Sequence, residues 1–223
     1  MKVGLISYNT NHLKTEQLAL NYSVNPDITE ITILGLPFNE RKPRNTLFSH
    51  RPNMKDGIHT KELQKLDKTS YMDWDGKKDL SHDFDVFIIG GAGILNTDFA
   101  GKKPIVNAHP GIIPITRGLD SFKWAILNND PVGITLHLID NEVDSGEILH
   151  TRITQIFQTD TINSVSRRHY EQEISMLSDF ARYLDNRESP ATEAKPAALR
   201  MKKTQEYEML ACFDIWKRTH STF

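Results

Sequence analysis

The chain reads NAHPGIIPITRG at residues 107–118 and GITLHLIDNEVDSG at residues 133–146. Asn107 and His109 directly follow the apolar run 104–106, which predicts a strand. Alternate side chains of a strand point the same way, so both polar groups are expected on one side of its end. Open α/β sheets build their sites at the ends of parallel strands. Asp144, in a turn after a second predicted strand, could complete a three-residue reaction centre.

The rest of the chain predicts a mostly parallel α/β sheet around this strand. A strand from residue 3, a helix with apolar positions between 13 and 22, and a second strand at 31–34 form a βαβ unit. The unbroken apolar run 85–89 predicts a strand that is covered on both faces. Alternation at 132–138 predicts a half-buried strand with Gly133, Thr135 and His137 on one face. A further strand is predicted at 148–157.

Three more helices are predicted at 118–128, with Leu119 pointing inward, at 161–184 and at 204–217. Residues 36–80 are irregular and polar, with one short helical piece at 60–66, which is typical of a functional loop. We expect residues 1–185 to form the main domain, and residues 186–223 a linker and a C-terminal helix. The apolar face of that helix needs a partner surface, either the domain itself or a second subunit. Because of this helix and the strand predicted at 148–157, we expect a homodimer.

Composition argues against several classes of protein. The 223 residues are 38% hydrophobic and 25% charged, as in a globular domain, and the net charge of −2 gives no footprint for a nucleic-acid partner. The single cysteine, Cys212, excludes an internal disulfide and favours a reducing compartment. No apolar stretch approaches the ~18 residues of a membrane span, and the N-terminal apolar run is too short for a signal peptide. A cytoplasmic protein without membrane contact is expected.

Asn, His and Asp side chains suit a reaction at a carbonyl carbon. Asn107 and His109 could donate to a developing oxyanion, and Asp144 would favour the protonated imidazole. Ser145 lies in an Asp-Ser-Gly turn without the context of a nucleophile. The plainer alternative is that all three are ordinary turn residues. A zinc site formed by His109, His137, Asp144 and His150 is also conceivable. No pair of these residues has the spacing of metal ligands, so no metal is expected.

Two other segments have a functional and a purely structural interpretation. Residues 47–54, LFSHRPNM, are either a surface excursion with a solvated Arg51 or a flap in which Arg51 meets an anionic ligand. The glycine-rich residues 90–95, GGAGIL, either allow a ligand to approach the backbone or make a tight turn after the strand. They do not match the dinucleotide fingerprint.

The spacing and identity of the central motif resemble those of the N10-formyltetrahydrofolate-dependent formyltransferases. The matching residues are Asn107, His109, Pro114, Gly118, Gly133, Thr135, His137, Asp144 and Gly146. The resemblance covers residues 85–185 and implies a Rossmann-like formyltransferase fold in which Asn107, His109 and Asp144 act together in formyl transfer. It implies N10-formyltetrahydrofolate as co-substrate, held by a wall of Ile89, Gly90, Gly91, Gly93, Ile94 and Leu95.

Within that family the chain is most similar to the branch that formylates nucleotide-linked amino sugars, of the dTDP-4-amino-4,6-dideoxyglucose type, for surface polysaccharide such as O-antigen. The loop after the first strand, SYNTN at residues 7–11, lacks the glycines of the purine-pathway branch. A ribonucleotide acceptor of the phosphoribosylglycinamide type and a non-catalytic folate- or nucleotide-binding module stay open. The resemblance implies substrate contacts at Tyr8, His50, Arg51, Thr116 and Arg117.

Overall fold

A computed structural model describes residues 1–40, 45–139, 146–189 and 196–222. These residues form seven strands: β1 Lys2–Tyr8, β2 Glu30–Leu36, β3 Thr69–Asp73, β4 Val86–Ile89, β5 Ile105–His109, β6 Gly133–Leu138 and β7 Ile148–Ile153. They also form four α-helices: α1 Leu13–Ser23, α2 Ser121–Leu127, α3 Ile162–Ser178 and α4 Lys203–His220. Short 3-10 helices occur at Met54–Asp56, Thr60–Lys65, Asp98–Ala100 and Phe180–Tyr183.

The strands are hydrogen-bonded in the order β3-β2-β1-β4-β5-β6-β7. β1 pairs in parallel with β2 and with β4, β2 with β3, and β4 with β5, whereas β6 and β7 are antiparallel. The predicted α/β class with a mostly parallel sheet is therefore confirmed, and so is the opening βαβ unit. No helix in the described ranges has both the length and the apolarity that crossing a bilayer requires.

Residue contacts divide the chain into two compact units. Unit 1 comprises Met1–Arg41 and Asn53–Asn107. Its strands β1, β2 and β4 are buried on both faces, as continuous apolar runs in a covered parallel sheet require. Helix α1 packs Leu18, Ala19 and Tyr22 inward, and the His12 ring caps its first turn by accepting a bond from the Thr15 N–H.

Unit 2 comprises Lys42–Pro52 and Ala108–Phe223. Its apolar core joins α2, α3 and α4, because each helix turns a stripe of large apolar side chains toward the others. The buried members are Phe48, Phe122, Ala125, Ile126, Val132, Ile156, Val165, Met201, Met209, Phe213 and Trp216. The apolar face of α4 is therefore covered by its own chain, which removes the need for a second subunit there.

Several boundaries differ from the prediction. β3 lies within residues 36–80, which were expected to be irregular, and pairs with β2 at one edge of the sheet, where its polar side chains stay partly exposed. α2 begins at Ser121 because Gly118 and Asp120 adopt left-handed backbone angles, with φ of 86° and 55°. Leu119 is 47% exposed, so its inward placement was wrong. α3 ends at Ser178 and β7 ends at Ile153, each earlier than expected.

The segment 186–199 was expected to be a linker, and its described ends pair with unit 2. Glu188 and Ile148 exchange two backbone hydrogen bonds, at 2.8 and 3.0 Å. The Ala198 N–H donates to the Arg117 carbonyl, and the Ala198 carbonyl accepts from the Leu119 N–H. The residue contacts divide the chain at positions other than residue 185. The domain boundary at residue 185 stays a prediction.

Candidate active site

Strand β5 carries two of the three predicted catalytic side chains. Asn107 and His109 lie two residues apart on this strand, so their side chains leave it on the same side. Asn107 is half-buried, and His109 is buried at 3% exposure. Asp144, the third predicted residue, and Ser145 lie outside the described residues.

The hydrogen bonds of the His109 ring define its neutral tautomer. His109 Nε2 lies 2.9 Å from the Thr116 carbonyl oxygen and 3.1 Å from Ser121 Oγ. A carbonyl oxygen can only accept, so Nε2 must carry the hydrogen in the neutral ring. The lone pair of the neutral ring is consequently on Nδ1, and proton exchange by His109 falls to that atom.

The loop that follows His109 is closed by its own hydrogen bonds. The Thr116 N–H donates to the Ile112 carbonyl at 2.8 Å, and Thr116 Oγ1 accepts from the Ile112 N–H at 2.9 Å. From β6, Thr135 Oγ1 accepts from the Ile113 N–H at 3.1 Å and donates to the Gly111 carbonyl at 2.8 Å. A β-carbon on Gly111 would lie 2.7 Å from His109 Nε2, so only glycine fits beside the ring.

His137 and His150 are the other members of the zinc set that the structure describes. His137 is buried on β6, meets the His109 ring edge-on at 6.4 Å between centroids, and donates from Nδ1 to the Leu138 carbonyl at 3.0 Å. His150 stacks on the Tyr183 ring at 4.4 Å. Within the described residues, no three His, Cys, Asp or Glu side chains come together as a metal site would need.

Residues 47–52 of the predicted flap are held to the helices of unit 2 by two buried carboxylates. The Arg51 guanidinium donates to the Glu173 carboxylate, whose side chain is 1% exposed. The Leu47 N–H donates to Glu206 Oε2 at 2.7 Å. The predicted ligand-contacting cation is therefore already paired, although about a third of the Arg51 side chain still faces solvent.

The His50 ring of the flap packs in a row with Phe122 and His169. The His50 ring stacks on Phe122 at 5.7 Å, and burial with the nearby Arg51 charge lowers the pKa of His50 to about 3. The His169 ring also packs on Phe122, with the ring centroids 5.1 Å apart. Burial lowers the pKa of His169 to about 4. His169 Nδ1 lies 2.9 Å from Thr154 Oγ1. Both imidazoles are therefore neutral at pH 7.

Sequence reasoning missed the buried charges of unit 2. Lys123 Nζ and Glu206 Oε1 lie 2.6 Å apart, with side chains 2% and 1% exposed. Glu173 and Glu206 both fall within the apolar stripes of their helices, three positions before Met176 and Met209. A charged residue at such an inward position is the signal that could have identified them, because buried charges are paired.

Thr116 and Arg117, two predicted substrate contacts, line a cavity of about 450 Å³ in unit 2. Its size is in the range of small-molecule sites. The cationic lining residues are Arg117, Arg200 and Lys202, and none of the described lining residues is acidic. The Arg200 guanidinium lies 3.7 Å from a carboxylate oxygen of Asp120. Asp120 itself does not line the cavity.

The predicted folate wall follows β4 in unit 1. The Gly90 and Gly91 N–H groups both donate to the Ile6 carbonyl, at 2.9 and 3.0 Å. A β-carbon on Gly90 would lie 2.8 Å from Thr15 Oγ1, so the close packing on α1 requires glycine there. Beyond this turn the backbone is accessible, and the side chain of Ile94 is 94% exposed.

The other predicted residues of unit 1 have unequal exposure. Ile89, at the end of β4, is buried, whereas Gly93 is exposed and Leu95 is half-buried. Tyr8, a predicted substrate contact at the end of β1, packs edge-on against Phe38 at 5.2 Å.

The fold is that of an α/β protein, with Asn107 and His109 at the carboxyl end of β5, where open sheets of this class build their sites. Residues 84–180 match the family described as formyl transferase. The resemblance noted in the sequence is thereby confirmed.

Three similar proteins illustrate the relationship. A dTDP-4-amino-4,6-dideoxyglucose formyltransferase from Mycobacterium bovis is 34% identical over 117 residues, covering 51% of this chain and 48% of that protein. A phosphoribosylglycinamide formyltransferase from Haemophilus influenzae is 35% identical over 107 residues, covering 41% and 50%. The crystal structure of an N-formyltransferase from Helicobacter canadensis, in complex with folinic acid and dTDP-3-aminofucose, shares the fold with a TM-score of 0.61 at 14% identity, covering 95% and 80%. The chain spans half the length or less of the curated relatives it matches.

Proposed function

We propose that this chain transfers a formyl group from N10-formyltetrahydrofolate to the amine of a nucleotide-linked amino sugar. The observation that carries the proposal is the buried His109, two residues after Asn107, with its Nε2 hydrogen directed at the Thr116 carbonyl. This arrangement leaves Nδ1 as the atom of the ring that exchanges protons, in a segment that matches the formyl transferase family.

In the proposed reaction the sugar amine attacks the formyl carbon. A carbon–nitrogen bond forms, and the carbonyl oxygen becomes an oxyanion that Asn107 and His109 stabilise by donating hydrogen bonds. As the bond to N10 breaks, the amine loses a proton and N10 gains one. His109 Nδ1 supplies the proton to N10, and the neutral Nδ1 then takes up the proton that the amine loses, which restores the imidazolium. Asp144 is proposed to favour that protonated form of the ring.

The glycine turn after β4 is the proposed folate site. Gly93 is exposed, and Ile94 presents an apolar side chain that is 94% exposed, although apolar groups are normally withdrawn from water. A pteridine ring on this segment would cover Ile94 and accept or donate hydrogen bonds at the exposed backbone. The complex of the Helicobacter canadensis protein with folinic acid supports a folate ligand in a protein of this fold.

The cavity beside Thr116 supports an anionic acceptor. A nucleoside diphosphate needs positive charge, which Arg117, Arg200 and Lys202 supply without an acidic residue among the described lining. Tyr8, His50 and Arg51 stay proposed substrate contacts. We propose an acceptor of the dTDP-4-amino-4,6-dideoxyglucose type, a cytoplasmic location, a homodimer and a role in surface polysaccharide.

A phosphoribosylglycinamide acceptor is the second candidate, because the Haemophilus influenzae relative is as similar in sequence as the sugar-specific one. The end of β1 and the loop that follows it separate the two candidates, since the sequence SYNTN at residues 7–11 has no glycine to build a backbone cradle for a phosphate. A non-catalytic binding module is the third alternative.

The test is turnover of formyl-folate by the purified chain with a panel of amines, including several nucleotide-linked amino sugars and phosphoribosylglycinamide. His109→Ala and Asn107→Ala are each expected to lower the rate about 10²–10³-fold while the circular dichroism spectrum is kept. His150→Ala, which removes a histidine stacked on Tyr183, is the matched control. Full turnover by His109→Ala would overturn the mechanism, and binding without turnover for every amine would establish the binding module.

A further inference from the structure

Ser121, the first residue of α2, contacts the ring on which the reaction is proposed to depend. Its Oγ lies 3.1 Å from His109 Nε2, and the two side chains belong to residues that are 1% and 3% exposed. We propose that Ser121 is a positioning residue: with the Thr116 carbonyl it holds the hydrogen of His109 on Nε2 and so assigns proton transfer to Nδ1. The inference rests on the proposed role of His109.

The direction of the serine hydroxyl follows from its second partner. Ser121 Oγ donates to the Gly118 carbonyl at 2.9 Å, which uses the only hydrogen of the hydroxyl. A lone pair of Ser121 Oγ therefore faces Nε2, as does the Thr116 carbonyl oxygen. Both neighbours of Nε2 are acceptors, so a ring without a hydrogen on Nε2 would bring three lone pairs together.

Burial makes this arrangement selective. No water replaces a missing partner at a site this well covered, so an unmet acceptor carries its full desolvation cost. Gly111 lies against the same nitrogen, where an added β-carbon would be 2.7 Å away, so little space is left beside the ring. The neutral form of His109 is thereby restricted to one tautomer.

Ser121 is itself fixed by the turn that precedes α2. Gly118 and Asp120 have left-handed backbone angles, and the Asp120 carboxylate accepts from the Met201 N–H at 3.0 Å. The Asp120 carbonyl accepts from the Lys123 and Trp124 N–H groups at 2.8 and 3.1 Å. The serine therefore begins a helix whose start is held by bonds on both sides.

The consequence for the reaction is that His109 needs no change of tautomer. When the imidazolium gives its Nδ1 proton to the leaving nitrogen, the remaining hydrogen is already on Nε2 with both acceptors in place. Losing Ser121 Oγ removes one of two acceptors of the imidazolium and loosens the ring. The expected effect on kcat is a fall of about 3- to 10-fold, the size of one hydrogen bond, with the KM values unchanged.

The experiment compares Ser121→Ala and Ser121→Thr with the control Ser166→Ala. Ser166 is also buried and also donates to the carbonyl three residues earlier, at 3.1 Å to Asn163, but on α3. The first measurement is 15N NMR of histidine-labelled protein without substrate, following the two ring nitrogens of His109 through a pH titration. The second is the pH profile of kcat, with the KM of each substrate.

We expect the neutral His109 ring of the wild type to be protonated on Nε2. Ser121→Ala should show a mixture of tautomers and a shifted titration midpoint, and Ser121→Thr should restore the wild-type tautomer and midpoint. Ser166→Ala should match the wild type in every measurement. A neutral wild-type ring protonated on Nδ1, or a Ser121→Ala variant with the wild-type NMR titration, would overturn the inference. If the wild type shows no turnover with any amine, the proposed function fails, whereas the NMR titration still decides the role of Ser121.

Discussion

The buried ion pair between Lys123 and Glu206 makes a quantitative prediction about unit 2. Its atoms are 2.6 Å apart and both side chains are at most 2% exposed. Glu206→Gln keeps the volume of the side chain and an acceptor for Leu47, but it leaves the Lys123 ammonium buried without an opposite charge. Breaking a buried pair in this way costs roughly 3–5 kcal/mol of unfolding free energy. For a chain of this size each kcal/mol lowers Tm by about 2–4 °C, which predicts a fall of roughly 6–20 °C.

The measurement is thermal unfolding followed by tryptophan fluorescence in a Trp74→Phe background. The remaining tryptophans, Trp124 and Trp216, both lie in unit 2, so the signal reports that unit alone. The control is Glu171→Gln, which removes a pair with Arg167 whose side chains are 65% and 77% exposed and which is expected to leave Tm unchanged.

A second variant separates the missing charge from the missing contact. Removing both charges, with Lys123→Met and Glu206→Leu together, should give a protein more stable than the Glu206→Gln variant, because no buried charge is left without a partner. If Glu206→Gln melts within 2 °C of the wild type, or if the double variant is the less stable of the two, the reasoning about this pair is wrong.

Three further predictions concern pH dependence and the folate site. The pKa of His169 falls from about 6.5 in the unfolded chain to about 4 in the fold, so the unfolded state binds more protons between these two pH values. The free energy of unfolding should therefore fall by on the order of 3 kcal/mol as pH drops from about 6.5 to about 4. Urea titrations of His169→Gln should show a flatter dependence of this free energy on pH. The hydrogen bond from Arg168 lowers the pKa of Asp160, so the folded carboxylate stays ionised below the usual carboxyl pKa near 3.9. Asp160→Asn should therefore destabilise the chain at pH 7, and its difference from the wild type should shrink progressively as pH falls below about 3.9, as the same titrations will show. Ile94→Asp should leave Tm unchanged, because the side chain is 94% exposed, and should weaken formyl-folate binding at least tenfold by isothermal titration calorimetry; unchanged affinity would place the folate elsewhere.

The sheet and the strand-end residues could be predicted because they depend on local patterns. The continuous apolar runs of β1, β2 and β4 match strands that are covered on both faces, and residues 107 and 109 alternate on β5 as the period of a strand requires. β3 escaped prediction because an edge strand is only partly covered, and its sequence, TSYMD, carries no apolar alternation. Its pairing with β2 is a property of the assembled sheet.

The C-terminal helix shows the same division. Its amphipathic face predicts that it packs on an apolar surface, but the pattern is the same for a surface of its own chain and for that of a second subunit. The fold decides between them, because Phe122, Trp216 and Met209 lie in one buried cluster. The start of α2 depended likewise on backbone angles at Gly118 and Asp120 that propensity alone does not reveal.

By itself, the sequence determined that this is an α/β protein with an Asn-x-His strand end and the spacing of a formyl transferase, because strand period and motif spacing are local properties of the chain. Only the tertiary structure decided which atoms surround the His109 ring, and that Arg51 and Lys123 each pair with a buried carboxylate. Those contacts join residues 7 to 122 positions apart. Their partners are chosen by the packing of whole helices and strands, which no single stretch of sequence contains.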